Sequence, residues 1–292
     1  QLLYLLQEKV VKYTIANSNV VDFNKRFYPD LRVAFDIGQP QPLQWAMPRR
    51  KDSSLYDKVT RFFKRIKRNG KLETVLERYY AHVDLLSFAD THTFWQHVST
   101  RLPRYEKLFR RVARSNGYDW RLLAAIGYQE SHWDPKAVSP TGVRGIMMLT
   151  QNTMRHMGIE ESRHDARTSI EGGARYFARI KKRIPERIRE PDRTWMALAA
   201  YNVGFGHLED ARVLAQDGGA NPDRWVDVKK FLPLLSQKKW YKKTRYGYAR
   251  GREPVRYVEN IRSYYDILVW ITDREIPPVP ASRALTVNSP AL

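Results

Sequence analysis

The segment from Asp119 to Pro135 has the pattern of one amphipathic α-helix that carries an acid on its apolar side. Asp119 is of a residue type that caps helix N-termini, and Pro135 cannot continue a helix. Glu130 follows Leu123 by seven residues and Ile126 by four. At roughly 100° of turn per residue, the glutamate lies within about 40° of both apolar side chains. The pattern therefore predicts a helical packing unit with a carboxyl group on its core-facing stripe.

Two interpretations of Glu130 remain open at this point. A buried acid is usually structural, and this chain offers many arginines as partners. A carboxyl group in an apolar setting can instead stay protonated near neutral pH, because burial disfavours the charged form. A protonated carboxyl group at a helix end next to a loop is what general acid catalysis requires.

Length and composition indicate a folded chain of one or two domains. It has 292 residues, of which 42% are hydrophobic. There are no cysteines, which excludes disulfides, zinc–thiolate sites and thiol nucleophiles. No run of about 18 apolar residues is present to span a membrane. The chain begins at Gln1 without a methionine, and we expect a mature or truncated product.

The formal net charge of +20 indicates a polyanionic partner. Nucleic acid, anionic membrane surfaces and acidic cell-wall polymers are all compatible with it, as is a merely solubilising surface. The sequence has no zinc-finger spacing, Walker motif or GxGxxG motif that would favour a nucleotide or nucleic acid. Charge alone therefore names no partner.

Residues 1–82 have a mixed α/β pattern. Gly38 to Pro42 has the composition of a loop, and the pattern predicts two helices, one from Asp52 to Asn69 and one from Leu72 to Tyr80. Three runs rich in β-branched and aromatic residues are predicted strands: Val10–Ile15, Leu31–Asp36 and Leu43–Met47.

Residues 101–272 are helical in pattern throughout, and residues 83–100 are interpreted as a connection that still packs. Thr168 and Glu171 have capping-box spacing and predict the start of a helix. A further helix is predicted from Thr194 to Asn202, and Pro254 suits the first turn of a last one. The tail, 273–292, is rich in Pro, Ala and Ser and is expected to be disordered.

Three further stretches have residues suited to a site, each with an ordinary structural alternative. Gly142 and Gly145 let a loop backbone approach another surface, or simply form a turn. Asn202 follows Trp195 by seven residues and is predicted on an inward stripe, where it would bind a loop or a substrate amide. Tyr257, near the start of the last helix, is by itself a packing residue or a phenol donor.

The order of these motifs is more specific than any one of them. Glu130-Ser131 is followed by Gly142-Val-Arg-Gly145-Ile-Met147, then Ala200-Tyr201-Asn202-Val-Gly204, then Tyr257-Val-Glu-Asn-Ile261. This order resembles the soluble-lytic-transglycosylase family of peptidoglycan-cleaving enzymes over about residues 101–270. The resemblance implies a mainly α, goose-lysozyme-like catalytic domain. Residues 1–82 are similar to the last part of a periplasmic solute-binding domain, which implies a small α/β segment.

The resemblance also implies a site. Glu130 corresponds to the catalytic acid, and no metal or cofactor is expected. Met148 stands where much of the family has a glutamine, so it offers the sugar an apolar contact only. The remaining residues correspond to substrate-binding positions: Ser131, Gly145, Tyr201, Asn202 and Tyr257.

The implied reaction cuts the bond between N-acetylmuramic acid and N-acetylglucosamine and leaves a 1,6-anhydro end without consuming water. Peptidoglycan strands and their stem peptides would be the partners, in the periplasm at the inner face of the outer membrane, with no nucleic acid. The basic and aromatic segment Lys238–Arg252 would meet carboxylates and sugar faces, or form a flexible basic loop. Asp134 is interpreted as a turn residue rather than a second carboxylate. A lysozyme-type hydrolase and a non-catalytic peptidoglycan-binding module are the alternatives.

Overall fold

The structure is a computed structural model that describes residues 2–49, 51–82, 86–140, 142–159 and 165–273. Short 3₁₀ helices occupy Lys25–Phe27, Leu102–Arg104 and Leu232–Ser236. The α-helices within these ranges are α1 (Leu2–Gln7), α2 (Ser18–Asn24), α3 (Ser54–Arg68), α4 (Lys71–Tyr80), α5 (Phe88–Thr100), α6 (Glu106–Asn116), α7 (Trp120–Ser131), α8 (Gln151–His156), α9 (Ala166–Arg183), α10 (Asp192–Val203), α11 (Phe205–Asp217), α12 (Trp225–Phe231), α13 (Lys238–Tyr241) and α14 (Arg252–Asp273). The prediction of a mainly α fold is therefore confirmed.

The prediction of strands in the N-terminal segment is wrong for the described residues. Val10–Ile15, Leu31–Asp36 and Leu43–Met47 have no regular secondary structure. A strand needs a neighbouring strand to pair its backbone N–H and C=O groups. The β-bridges in the described ranges lie elsewhere, at Val138, Arg144 and Leu149. The two predicted helices of this segment are present as α3 and α4, and its likeness to a solute-binding domain stays a prediction.

Helix α7 has the predicted boundaries. The Asp119 carboxylate accepts a hydrogen bond from the Arg121 backbone N–H at 2.9 Å, as an N-cap should. The helix ends at Ser131, and His132 follows in the left-handed region with φ 52°. Helix α7, which carries Glu130 in its last turn, packs against both α14 and α6.

Helix α9 begins earlier than its sequence predicts. The Thr168 capping-box start is wrong, because Asp165 caps the helix and accepts the Thr168 backbone N–H at 2.8 Å. A carboxylate satisfies the same N–H groups as a threonine hydroxyl and also interacts favourably with the helix dipole. The later helices agree with prediction: α10 covers Thr194 to Asn202, and Pro254 lies in the first turn of α14.

The predicted connection is largely a helix of the core. Helix α5 begins with a capping box between Ser87 and Asp90. Its Phe94 is fully buried and packs edge-on against Tyr128 of α7, and it also contacts Tyr264 of α14. The described part of this segment, 86–100, therefore packs, as expected, and contributes to the core. The tail predicted to be disordered lies, beyond Asp273, outside the described residues.

Helix α14 contacts helices of the core and also the N-terminal segment. It packs on α7 and α10 within the core. Buried Arg262 on α14 donates to the Glu77 carboxylate on α4 and to the Glu77 and Arg78 carbonyl oxygens, the latter two at 2.9 Å. These bonds attach the N-terminal segment to the helical core. Within the described ranges, no helix is both long and apolar enough to cross a bilayer.

Candidate active site

Glu130 lies in the last turn of α7 and is half-buried. Burial raises the pKa of its carboxyl group to about 7, because desolvation disfavours the charged form. The Tyr257 hydroxyl donates a hydrogen bond to Glu130 Oε1 at 2.5 Å, which lowers the pKa and opposes part of that rise. The carboxyl group is therefore divided between its protonated and ionised forms near neutral pH.

Tyr257 and Tyr201 form a stacked pair behind this carboxyl group. Both side chains are buried, and their ring centroids lie 6.5 Å apart with the planes inclined by 15°. Burial raises the pKa of both phenols well above the usual value, so both remain neutral hydrogen-bond donors. Tyr201 donates to the Met147 carbonyl oxygen at 2.9 Å rather than to the acid.

Three hydroxyl groups hold the loop that carries Met147. Ser131 Oγ contacts the Ile146 carbonyl oxygen at 2.9 Å, and Tyr201 contacts that of Met147. On the other side, the Met147 backbone N–H donates to Ser169 Oγ of α9 at 3.0 Å. Sequence reasoning missed Ser169, because a serine in the first turn of a helix has the pattern of a capping residue.

The loop itself adopts a conformation that its sequence only partly favours. Gly145 has φ 90° and Met148 has φ 45°, both in the left-handed region. Glycine adopts this region without penalty, whereas a side chain there costs on the order of 1 kcal/mol. The antiparallel bridges that Arg144 makes with Val138 and Leu149 bring the two arms of the loop together. Gly145 therefore lies in a turn, which is one of the two structures that the sequence allows for it.

Asn202 lies at the surface, so its predicted position on an inward stripe is wrong. Helix α10 ends one residue later at Val203, and its last turn emerges from the core that buries Leu198 and Tyr201. No hydrogen bond to the Asn202 side chain occurs within the described part of the chain, which leaves its amide accessible to a ligand. A hydrogen bond joins Glu130 to Tyr257, and among the hydrogen bonds of the described residues none joins Glu130 to Asn202 or Met148.

No second carboxylate pairs with Glu130 among the described residues. Asp134 Oδ1 accepts the Lys136 backbone N–H at 2.9 Å, which confirms its assignment to a turn. The described ranges also hold no group of three acidic or histidine side chains that could bind a metal ion. The described groups at this site are thus the Glu130 carboxyl group, with its raised pKa, and the neutral Tyr257 hydroxyl that donates to it.

The basic and aromatic segment Lys238–Arg252 is anchored beside the end of α10. The Asp210 carboxylate of α11 accepts the Arg245 and Tyr246 backbone N–H groups at 3.1 and 2.9 Å. The Tyr246 ring lies against Gly206 of α11, so closely that an added Cβ there would stand 2.7 Å from it. Since α11 begins three residues after Asn202, this segment flanks the candidate site.

Comparison with known proteins gives a family match over the part of the chain that carries most of this site. Residues 107–223 match the family described as Transglycosylase SLT domain. The resemblance predicted from the motifs is therefore confirmed for this part of the chain. This match begins at α6 and ends after α11, so it contains Glu130, Ser131, Tyr201 and Asn202, whereas Tyr257 lies beyond it.

Individual relatives of the chain share one name. The chain is 54% identical, over 94% of its length, to a Pseudomonas syringae pv. syringae protein named membrane-bound lytic murein transglycosylase F, 55% of which it covers. It is 57% identical, over 91% of its length, to the protein of the same name from Marinobacter nauticus, 53% of which it covers. The chain thus spans about half the length of the curated relatives it matches.

Among solved structures, the chain is similar to the 70 kDa soluble lytic transglycosylase of Escherichia coli. The two are 22% identical with a TM-score of 0.44, over 65% of this chain and 28% of that one.

Proposed function

We propose that this chain is a peptidoglycan lytic transglycosylase. It cleaves the β-1,4 bond between N-acetylmuramic acid and N-acetylglucosamine and leaves a 1,6-anhydromuramic acid end. The observation that carries the proposal is the Glu130 carboxyl group, whose pKa is raised to about 7 while it accepts a hydrogen bond from Tyr257. The SLT domain match and the names of the relatives support the same activity.

Glu130 acts first as acid and then as base in this proposal. Its carboxyl proton moves to the glycosidic oxygen as the bond from that oxygen to C1 of the muramic acid breaks. The C6 hydroxyl of the same sugar then attacks C1, and its proton returns to the Glu130 carboxylate. A pKa close to the working pH suits both steps, because neither the protonated nor the ionised form is rare.

One carboxylate suffices because the substrate supplies the nucleophile. Conventional glycosidases use two carboxylates, about 5 or about 6.5–9.5 Å apart. An intramolecular hydroxyl has an effective concentration far above that of any free nucleophile, so excluding water is more useful than activating it. The buried Tyr201–Tyr257 pair and the loop around Met147 form an apolar wall behind the acid that serves this purpose.

Substrate binding is assigned to the surface beside the acid. The exposed Asn202 amide suits the acetamido or hydroxyl groups of a sugar, and Met148 offers an apolar contact. Beyond them, Lys238–Arg252 presents lysines for stem-peptide carboxylates and exposed Tyr246 and Tyr248 for sugar faces. Peptidoglycan strands and their stem peptides are the proposed partners.

The proposed location is the periplasm, in association with the inner face of the outer membrane. The relatives are named as membrane-bound proteins that act on murein, which supports a place where murein and membrane meet. The net charge of +20 is compatible with acidic polymers in that compartment. Nucleic acid is not an expected partner.

Digestion of purified sacculi tests the activity. Mass spectrometry of the released muropeptides should give products one water lighter than those of a hydrolase, and Glu130→Gln should release none while keeping its circular dichroism spectrum. Lys182→Gln, an exposed change on α9, is the matched control and should cut normally. Products with reducing ends would reject the proposal and indicate a lysozyme-type hydrolase. Bound but uncut sacculi would instead indicate a binding module.

A further inference from the structure

An open cavity lies between the N-terminal segment and the helical core. Its volume is about 560 Å³, and it is lined from one side by residues before α3 and at the end of α4, and from the other by α10 and α14. None of the residues assigned to the candidate active site lines it. Arg262 and Asp266 of its wall follow Tyr257 on α14 by five and nine residues, or roughly 7 and 13 Å along the helix axis.

Aromatic rings dominate the wall of this cavity. Phe27 stacks on Trp270 with ring centroids 5.4 Å apart, and Arg26 lies 4.7 Å from the centroids of both Phe23 and Phe27. Such a wall suits a flat or branched apolar body, which could stack on the rings and exclude water. The aromatic residues that line the cavity are Phe23, Phe27, Tyr79, Trp195, Tyr265 and Trp270.

Among the described charged residues of the wall, Arg78 differs from the others because it has no carboxylate partner. Arg26 pairs with Asp266 at 2.9 Å, Arg262 pairs with Glu77, and Glu190 pairs with Lys181 at 2.8 Å. Arg78 is exposed and lies 5.6 Å from the centroid of the Tyr79 ring. Within the described part of the chain its guanidinium pairs with no carboxylate. A ligand carboxylate at this position would find a fork of N–H donors beside an aromatic ring.

Buried nitrogens of the same wall lack hydrogen-bond partners in the described structure. They are Arg26 Nε, His82 Nδ1, Trp195 Nε1 and Arg262 Nε. A buried polar group without a partner is costly and is rare in folded proteins. Each of these nitrogens is shielded from solvent, so they belong to the packed layer behind the cavity rather than to the surface that a ligand would meet.

From these observations, we infer that the cavity binds a small monocarboxylate with an aromatic or branched apolar body. The carboxylate lies at Arg78, and the apolar part enters between Trp195, Tyr265 and Trp270. This site is separate from the cleavage site, and the inference does not rest on the proposed activity.

Isothermal titration of the full chain with N-acetyl-L-phenylalanine at pH 7 tests the inference. N-acetyl-L-phenylalaninamide, of the same shape without the charge, is the matched ligand. We expect the acid to bind at least tenfold more tightly than the amide, and Arg78→Gln to remove this difference. Lys182→Gln lowers the net charge equally but lies outside the cavity, and it should bind the acid like the parent chain.

Three results would overturn the inference. They are no binding of the acid up to millimolar concentration, equal binding of acid and amide, and unchanged binding of the acid by Arg78→Gln. Tyr79→Ala provides a second variant, because its ring is half exposed and its loss should not unfold the chain. It should weaken acid and amide alike. Thermal melts of each variant separate lost binding from lost folding.

Discussion

The charge state of a single carboxyl group governs the chemistry proposed for this protein. Glu130 must be protonated to begin the reaction, and its pKa is raised to about 7. We therefore expect kcat/KM to fall as the pH rises through about 7, since the protonated fraction falls. Initial rates on soluble glycan strands between pH 5 and pH 9 measure this. A rate that stays constant up to pH 9 would contradict the assignment of Glu130 as the acid.

Tyr257 provides a directional test of the same group. Its hydrogen bond to Glu130 lowers the pKa of the carboxyl group by favouring the ionised form. Tyr257→Phe removes this donor, so the alkaline limb of the pH–rate profile should move to higher pH while the maximal rate falls. Tyr265→Phe, on the same helix but bonded to Asp119, is the matched control and should leave the limb in place.

Glu130→Gln should also change the stability of the fold. The folded pKa of about 7 lies above the ordinary 4.5, so the stability associated with the protonated acid is present below pH 4.5 and is lost as the pH rises through 7. The full loss is on the order of 3 kcal/mol. A neutral amide at this position has no proton to lose, so the variant does not undergo this loss of stability as the pH rises. Thermal melts should therefore show the variant more stable than the parent at pH 8, with the difference absent at pH 4.

At the scale of elements, the loop around Met147 is positioned by the helices that meet it. Gly173 on α9 leaves room for Met147, since a Cβ added there would lie 2.6 Å from the Met147 Cβ. Gly173→Ala should push the loop away from α9, lower activity severalfold and destabilise the fold by about 1–3 kcal/mol. Activity and urea denaturation test this, with Lys182→Ala on the exposed face of α9 as control. Equal stability and activity in the two variants would show that the loop is not fixed by this contact.

The helical core could be predicted from sequence because its signals are local. Asp119 caps α7 and Pro254 lies in the first turn of α14, and both preferences act within one or two helical turns. The hydrogen bond from Tyr257 to Glu130 spans 127 residues, so only the resemblance to a family related those two positions. Local patterns also explain why the three strand predictions were wrong. The β-rich runs have residues that favour strands, but a strand also needs a neighbouring strand, which the local pattern does not specify. The prediction that Asn202 faces inward was wrong because helical periodicity does not show where a helix leaves the core.

At the scale of the whole molecule, the net charge of +20 should make binding to sacculi depend on salt. The position of the charge should also matter. Replacing Lys238, Lys239, Lys242 and Lys243 with glutamine removes four exposed charges beside the site. We expect this variant to bind sacculi severalfold more weakly at low salt, measured by co-sedimentation.

The matched control removes four exposed charges from α3 instead, at Lys58, Arg61, Lys64 and Lys67. It has the same net charge, so a general attraction to polyanions would weaken both variants equally. Equal binding by the two variants would therefore reject a specific role for Lys238–Arg252.

The three hydroxyls that hold the loop have a consequence for repeated use of the site. Ser131, Ser169 and Tyr201 fix the backbone at Ile146 and Met147 through uncharged groups. None of them gains or loses a proton in the range where Glu130 titrates, because serine does not ionise there and burial raises the pKa of Tyr201 well above 10. The hydrogen bonds that hold the loop therefore do not depend on whether Glu130 is protonated or ionised. In the proposed reaction, recovery of the acid would then require proton movement only, because these three hydrogen bonds are the same whether Glu130 is protonated or ionised.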